Sequence, residues 1–410
     1  MDEVFPALRT LAGRFDPTVF DAPAGRARIR LVVRDEEAAW DAVIVGGLLE
    51  LEPAQSGKRA DAVLKADAVV WRMIARDVRG GMAAFQAGRL AIRRNLHLGV
   101  GFLAATGHDE PGRLRFNALE TRLGTVSMLE AGQGSPVLLL HGLGATKAEF
   151  LPTVAALASD QHRVIAMDLP GFGDTDKPFP APYDPPFFAE WAESLLDELG
   201  IERAHVLGHS MGGRVAIEFG LRNPDRTQGL VLMTPSMAFL SNRRWANYLR
   251  LVRPELGILQ PAPRPIVEEL VRRVVPGAAD EWTRAGIEEF LRAYLTPRGR
   301  VAFYAAARNI YLEDPEGPNG FWPRLEELQG DSLFIWGRRD TLVPLGFRKH
   351  VEKALPAAHH EVVDCGHVPQ LEQPSQTHTA IARFLRRPGA KRPVAASGPA
   401  AGGARAARVR

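Results

Sequence analysis

Three residues suited to attacking a carbonyl carbon stand far apart in this 410-residue sequence: Ser210 in "LGHSMGGR", Asp340 in "IWGRRDTLVP" and His367 in "DCGHVPQLEQP". A serine hydroxyl is a weak nucleophile until a base takes its proton. A histidine supplies that base near neutral pH, and a carboxylate holds the histidine in one tautomer and stabilises its cation. Gly208-His209-Ser210-Met211-Gly212 fits the pattern G-x-S-x-G. Such a turn must stand the serine oxygen clear of the backbone, and small neighbours leave room for it. The five-residue pattern alone is weakly specific. Its setting is the required one, with the apolar run Ala204 to Leu207 before it and a helical pattern from Met211 after it.

The other two members fall where a parallel sheet would deliver them. Asp340 follows the strand-like "SLFIWG" and precedes a helix at Pro344; His367 follows "HHEVVDCG" and precedes the last helix. Asp364 and Asp331 are rivals to Asp340, but Asp340 lies past the end of its strand, where ligands bind in such sheets. His97, His108, His162, His205, His350, His359, His360 and His378 are read as solvated surface residues. A negative tetrahedral intermediate also needs donors. The run His141-Gly142-Leu143-Gly144 ends a strand, so the backbone N–H groups of Leu143 and Met211 are the expected oxyanion hole. Helix N-termini carry partial positive charge, which favours an oxyanion near Met211. Asp168 and Arg214 are read as structural, and Cys365 as a buried spectator. No ligand cluster calls for a metal or an organic cofactor.

These residues require a scaffold that alternates strand and helix. From residue 115 the chain shows it: "TVSMLEAG", "PVLLLHG", a helix near 147–158, "HRVIAMDLPG", a helix near 186–199, "AHVLGHS", the helix from Met211 and "GLVLMTP". Short, nearly continuous apolar runs suit strands buried on both faces. The alternation predicts a mostly parallel sheet, an α/β fold. Residues 237–325 interrupt it with a helical insertion rich in aromatics, among them Trp245, Tyr248, Trp282, Phe290, Tyr294, Phe303, Tyr304 and Trp322. This reads as a lid over an apolar pocket.

Ahead of this body, residues 26–110 read as a small α+β unit. Its strands are "RARIRLVVR", the pair in "WDAVIVGGLLELE", "DAVLKAD" and "RLAIRR". Asp67 is the expected cap of a helix with Val70, Trp71, Ile74 and Val78 on one face. "RGGMAAFQAG" and "NLHLGVGFLAA" are further helices, and 106–113 is a linker by composition. Residues 1–25, with Pro6, Pro17 and Pro23, read as irregular. Residues 387–410 read as a disordered basic tail.

The net charge is +3, but residues 386–410 hold seven Lys or Arg and no acid, leaving −4 on the remainder. The pI of 9.1 is thus a property of the tail and does not point to nucleic acid. Weak contact of the tail with an anionic membrane surface is the alternative to a solvated end. One cysteine permits no intrachain disulfide, and no signal pattern opens the chain, so a cytoplasmic location is expected.

Taken together, His141-Gly142, "DLPGFGDTDKP" at 168–178, "GHSMGG", "WGRRD" and "GHVPQLEQP" resemble the α/β-hydrolase family over residues 115–386. The resemblance implies an α/β-hydrolase fold with an inserted lid, preceded here by the α+β unit. It also implies a triad of Ser210, Asp340 and His367 in the family's chain order. Serine rather than aspartate at the nucleophile position disfavours epoxide hydrolases and haloalkane dehalogenases. The "GHSMGG" form also resembles the meta-cleavage-product C–C hydrolases. The stretch "DAVLKADAVVWRMIARDVRGGMAAFQAGRLAIRR" is similar, more diffusely, to the sterol carrier protein type 2 fold, which implies a lipid ligand for residues 26–110. The plain alternative uses Trp71, Phe85 and Phe102 for packing alone. Three functions are therefore expected in order. The first is hydrolysis of a small hydrophobic ester. The second is C–C hydrolysis of a ring-cleavage product. The third is lipid binding or scaffolding with a silent hydrolase body.

Overall fold

The computed structural model describes residues 4–387, apart from positions 111 and 160, residues 238–245, position 252 and parts of 260–279. The expected tail lies outside the described residues from 388 on, and so does Trp245. Two sheets organise the chain.

The first sheet takes β1 (Arg26–Val33), β2 (Ala38–Val45), β3 (Leu48–Pro53), β4 (Ala62–Ala66) and β5 (Leu90–Arg93) in the order β3-β2-β1-β4-β5. β1 pairs parallel with β4, and the other pairings are antiparallel. One face is covered by α1 (Phe5–Gly13), α2 (Ala68–Arg76), α3 (Gly80–Gln86) and α4 (Leu96–Ala105), whose apolar residues join the strands in one buried cluster. The opening residues are thus not irregular throughout. Pro6 sits in the first turn of α1, where a missing N–H costs no hydrogen bond. Leu8 and Leu11 are buried, and Phe5 stacks on Trp40 at 5.6 Å. Two further readings need correction. Asp67 precedes α2 but makes no capping bond, because its carboxylate pairs with Arg34 while Asp35 accepts the Ala68 N–H. Val78 lies beyond the end of α2.

The second sheet has eight strands: β6 (Arg115–Thr121), β7 (Gly124–Ala131), β8 (Ser135–Leu140), β9 (His162–Met167), β10 (Ala204–His209), β11 (Thr227–Met233), β12 (Ser332–Gly337) and β13 (His359–Val363). Their order is β13-β12-β11-β10-β8-β9-β7-β6. Strands β8 to β13 run parallel, and β7 and β6 add an antiparallel edge. The sequence reading missed β6, which buries only Phe116 among exposed and half-buried positions. Alternate residues of the parallel strands feed opposite faces. Leu138, Leu140, Val206, Leu232 and Trp336 pack under α6 (Pro185–Glu198) and α7 (Met211–Arg222). Val137, Leu139, Leu207, Val231 and Ile335 share a buried cluster with α5 (Leu151–Leu157), the last helix (Pro374–Leu385) and the N-terminal unit.

Between β11 and β12 the described residues form α8 (Ala246–Leu251), α9 (Asp280–Tyr294), α10 (Pro297–Tyr311) and α11 (Phe321–Glu326). Helix α9 is fastened to the N-terminal unit. Arg93 donates two hydrogen bonds to the Glu281 carboxylate at 2.6 and 2.8 Å. The N–H groups of Arg94 and Leu96 donate to Glu288 and Glu289, which places a carboxylate at the positive end of α4. Phe85 meets Trp282 edge to face at 5.0 Å. Among the described residues, no helix is long and apolar enough to cross a membrane.

The Arg93–Glu281 pair is largely sheltered, with side chains 19% and 12% exposed. Removing either partner leaves a half-buried charge, so Arg93→Gln and Glu281→Gln should each destabilise the protein by about 2 kcal/mol. The double variant should lose clearly less than the sum of the two. Urea unfolding of the four proteins measures this, and additive losses would show that the pair does not hold the insertion.

Candidate active site

Ser210 sits between β10 and α7 with φ 51° and ψ −114°, a left-handed backbone that a non-glycine residue rarely adopts. The neighbours enforce it. A Cβ on Gly208 would lie 2.1 Å from the Gly212 carbonyl oxygen, and one on Gly212 would lie 1.9 Å from that of Leu140. The Ser210 N–H donates to the Met233 carbonyl and the Ser236 N–H to the Ser210 carbonyl, both at 2.9 Å. The ends of β8, β10 and β11 therefore lock the turn.

The structure brings together the three residues the sequence singled out. Ser210 Oγ lies 2.9 Å from His367 Nε2, and His367 Nδ1 lies 2.7 Å from Asp340 Oδ2. The other Asp340 oxygen accepts the N–H groups of Leu342 and Val343 at 2.8 and 2.9 Å. The carboxylate is thus fixed on both oxygens, and it imposes the tautomer with the proton on Nδ1 and a free lone pair on Nε2. All three side chains are buried. The rivals stand apart from this relay. Asp364 is exposed and pairs with Arg339, and Asp331 precedes β12 and accepts the Leu230 N–H through its backbone.

The loop after β8 packs directly on the serine. A Cβ on Gly142 would lie 3.5 Å from Ser210 Cβ, and Gly144 turns the chain with φ 76°. Met211 opens α7, so its N–H has no carbonyl one turn earlier to bond. His141 is fully buried and pins the loop: Nδ1 donates to the Gly142 carbonyl, and Nε2 accepts the Leu169 N–H at 2.9 Å. Burial lowers its pKa, which keeps the ring neutral for that dual role.

Several supporting residues escaped the sequence reading. Glu149 accepts the Gly142 N–H and the His209 Nδ1–H, while His209 Nε2 donates to the His367 carbonyl at 2.9 Å. Burial alone would lower the His209 pKa, but the Glu149 carboxylate outweighs it and the net direction is up. Thr234 Oγ1 donates to the same carbonyl, and Glu372 accepts the N–H groups on either side, of Gly366 and Val368. Glu372 was visible five residues after His367, but without the loop's shape nothing marked it as a brace. Ser236 Oγ lies 3.3 Å from Ser210 Oγ.

Asp168 and Arg214 are structural as expected. Asp168 accepts the Lys147 backbone N–H and its ammonium at 2.7 and 2.6 Å; Arg214 bridges Glu218 and Glu313. Burial pushes the Asp168 carboxyl up, but Lys147 holds it below its ordinary value. Cys365 is buried, and burial pushes its thiol up to about 12. Two of the histidines assigned to the surface are buried instead. His97 lies between Asp21 and Asp174, and His378 bonds Thr153 with a pKa lowered to about 4 by burial. Their partners come from distant segments, which a linear reading does not show. Among the described residues, no group of three or more His, Cys, Asp or Glu is placed to hold a metal ion.

Over the glycine loop lies an aromatic roof. Phe290 and Phe303 stand within 2.7 and 3.2 Å of a Cβ built on Gly144, and they pack with Tyr294 and Tyr304.

Comparison with known proteins agrees with this architecture. Residues 135–374 match the model of the alpha/beta hydrolase fold family. The chain belongs to that family. It is 30% identical over 269 residues to the 2-hydroxy-6-oxononadienedioate/2-hydroxy-6-oxononatrienedioate hydrolase of Escherichia coli K12, covering 63% of this chain and 90% of that protein. Among solved structures it is similar to a membrane phospholipase A described as a bacterial virulence factor, with TM-score 0.55 and 25% identity over 66% of this chain and 86% of that one. It is also similar to a variant meta-cleavage product hydrolase, with TM-score 0.53 and 25% identity over 66% and 97%.

Two predictions follow from the packing and charge of the site. Gly212→Ala should cost more than about 4 kcal/mol or prevent folding, because the new methyl collides with backbone. Gly286→Ala, on the exposed side of α9 with nothing within 4 Å of its Cβ position, should stabilise by about 0.5–1 kcal/mol. Thermal midpoints compare the two, and a tolerated Gly212→Ala would refute the steric account. His209 is more basic folded than unfolded, so its contribution is complete below the unfolded value of about 6.5 and fades as pH rises through the folded one. Urea titrations from pH 5 upward should show His209→Gln losing most relative to wild type at the acid end. A wild-type-to-variant difference that does not change with pH would exclude the charged pair.

Proposed function

We propose that this chain is a serine hydrolase that cleaves carboxylic esters with a hydrophobic acyl or alcohol part. The observation that carries this reading is the continuous relay from Ser210 Oγ through His367 to Asp340 at the tip of a strained turn. Ser210 Oγ attacks the ester carbonyl carbon while His367 Nε2 takes its proton, and Asp340 stabilises the imidazolium. The N–H groups of Leu143 and Met211 stabilise the oxyanion. The intermediate collapses, the C–O bond breaks, and the leaving alkoxide takes the proton from His367. Water then attacks the acyl-enzyme with His367 again as base, releasing the acid and restoring Ser210. The aromatic roof of Phe290 and Phe303 on Gly144 supports an apolar substrate.

A second reading is favoured by the Escherichia coli relative, named as a hydrolase of 2-hydroxy-6-oxononadienedioate and 2-hydroxy-6-oxononatrienedioate, and by the similar meta-cleavage product hydrolase. The same attack on a ketone carbonyl, with a stabilised carbanion as the leaving group, would break a C–C bond instead.

The test is hydrolysis of p-nitrophenyl esters across acyl lengths. Wild type should turn them over with a preference for apolar chains. Ser210→Ala and His367→Ala should each lower kcat by roughly 10,000-fold. An organophosphonate should label Ser210 in wild type. Hydrolysis of a vinylogous 1,5-diketone without any ester turnover would select the C–C reading. Absence of labelling would remove both.

A further inference from the structure

Ser210 Oγ has a second polar neighbour besides His367. Ser236 Oγ lies 3.3 Å from it, and on distance alone either hydroxyl could be the donor. The relay settles the direction. Asp340 holds the proton of His367 on Nδ1, so Nε2 is an acceptor and takes the single proton of Ser210. Ser236 must then donate to Ser210 Oγ. Its own oxygen is left to accept, and its partner is the hydroxyl of Tyr311, the last residue of α10. The donors therefore run one way, from Tyr311 to Ser236 to Ser210 to His367, and the ring passes the direction on to Asp340.

The loop after β11 is built to place this hydroxyl. Ser236 is 1% exposed, and its N–H donates to the Ser210 carbonyl at 2.9 Å. Two residues earlier, Thr234 holds a left-handed φ of 42°. Its N–H donates to the Ile335 carbonyl and its hydroxyl to that of His367, both at 2.8 Å. A Cβ on Gly213 would lie 2.7 Å from Pro235 Cβ, so α7 closes on the same loop. Strain of this kind needs surroundings that over-determine it, and it gathers at functional sites. One segment of three residues thus touches the backbone of both Ser210 and His367 and reaches Ser210 Oγ.

We infer that Ser236 assists the departure of Ser210 Oγ when the acyl-enzyme is hydrolysed, with Tyr311 as a positioning residue that holds the Ser236 hydroxyl. This rests on the serine-hydrolase reading above. In that step water adds to the acyl carbon and gives a proton to His367. On collapse the C–Oγ bond breaks, its electron pair stays on Oγ, and His367 returns the proton there. An ester oxygen is a poor acceptor, so the Ser236 bond is weak in the acyl-enzyme. It strengthens as negative charge builds on the departing Oγ, because bonds to ionised acceptors are shorter and stronger. Only an interaction that grows toward the transition state speeds a step. Acylation gains less, because Ser236 already bonds the Ser210 hydroxyl before attack. The 3.3 Å spacing, long for an O–H···O bond, suits a contact that tightens during the reaction. Helix α10 also carries Phe303 of the roof, so the insertion both covers the glycine loop and reaches the serine through Ser236.

The experiment compares wild type, Ser236→Ala, Tyr311→Phe and the double variant on a p-nitrophenyl ester, by stopped flow and at steady state. An organophosphonate should label Ser210 in all four. The deacylation rate constant should fall about tenfold in Ser236→Ala, while kcat/KM, which reports acylation, stays within about twofold. A burst of p-nitrophenolate should then precede the slow phase. Tyr311→Phe should act in the same direction by about threefold, and the double variant should be no slower than Ser236→Ala, because Tyr311 acts through Ser236. Should Ser236→Ala fail to fold, Tyr311→Phe carries the same comparison. Unchanged deacylation, or an equal loss in deacylation and kcat/KM, would overturn the inference and leave the ester reading standing. Losses that multiply in the double variant would overturn the part given to Tyr311. A wild type that neither turns over esters nor takes the label would remove the ester reading, and this inference with it.

Discussion

Everything at the candidate site's edge of the sheet depends on one strained residue. Ser210 holds φ 51° because glycines at 208 and 212 let β10, α7 and the end of β8 approach closer than any Cβ permits. Strain of this kind persists only when its surroundings over-determine it. Here Met233 and Ser236 add backbone bonds on either side of the serine. The sheet order then does the rest. β8, β10 and β11 are neighbours, and β12 and β13 follow, so their carboxyl ends deliver the glycine loop, Ser210, Asp340 and His367 to one edge.

The loops at that edge are held by buried charge as well as by apolar packing. Lys147 and Asp168 fix the segment after the glycine loop. Glu149 and His209 tie that loop to the His367 carbonyl. Glu372 brackets the His367 backbone from both sides. Hydrogen bonds are directional and apolar contacts are not, so this choice sets positions to a fraction of an ångström. The cost is fragility: losing one member leaves its partner charged and buried, which is far worse than replacing both.

The contrast between what sequence reveals and conceals follows from the same physics. The parallel core was legible because each strand is a short apolar run and each glycine in "GHSMGG" answers a steric demand. Asp340 and His367 could be placed because both follow strand ends in a sheet whose direction was already inferred. β6 was missed because an edge strand buries one residue in seven and carries no apolar run. α1 was missed because prolines read as breakers, although Pro6 occupies a turn that needs no N–H. His97, Glu149 and Glu372 act through partners far off in the chain or through loop shape, and neither leaves a local signal.

The insertion helix α9 is where the two halves of the molecule meet mechanically. Its Glu281, Glu288 and Glu289 are taken by β5 and the start of α4, and Trp282 stands against Phe85. About two turns beyond Trp282, Phe290 roofs the glycine loop, and Arg292 pairs with both Glu289 and Asp174. Burial would raise the Asp174 carboxyl, yet Arg292 and Lys147 hold it well below its ordinary value, so it stays charged. The Asp174 N–H in turn bonds the Asp168 carboxylate that fixes Lys147. A chain of ionic contacts therefore runs from the N-terminal sheet through one helix to the loop beside Ser210. The N-terminal unit is thereby part of the framework that sets the roof over the glycine loop.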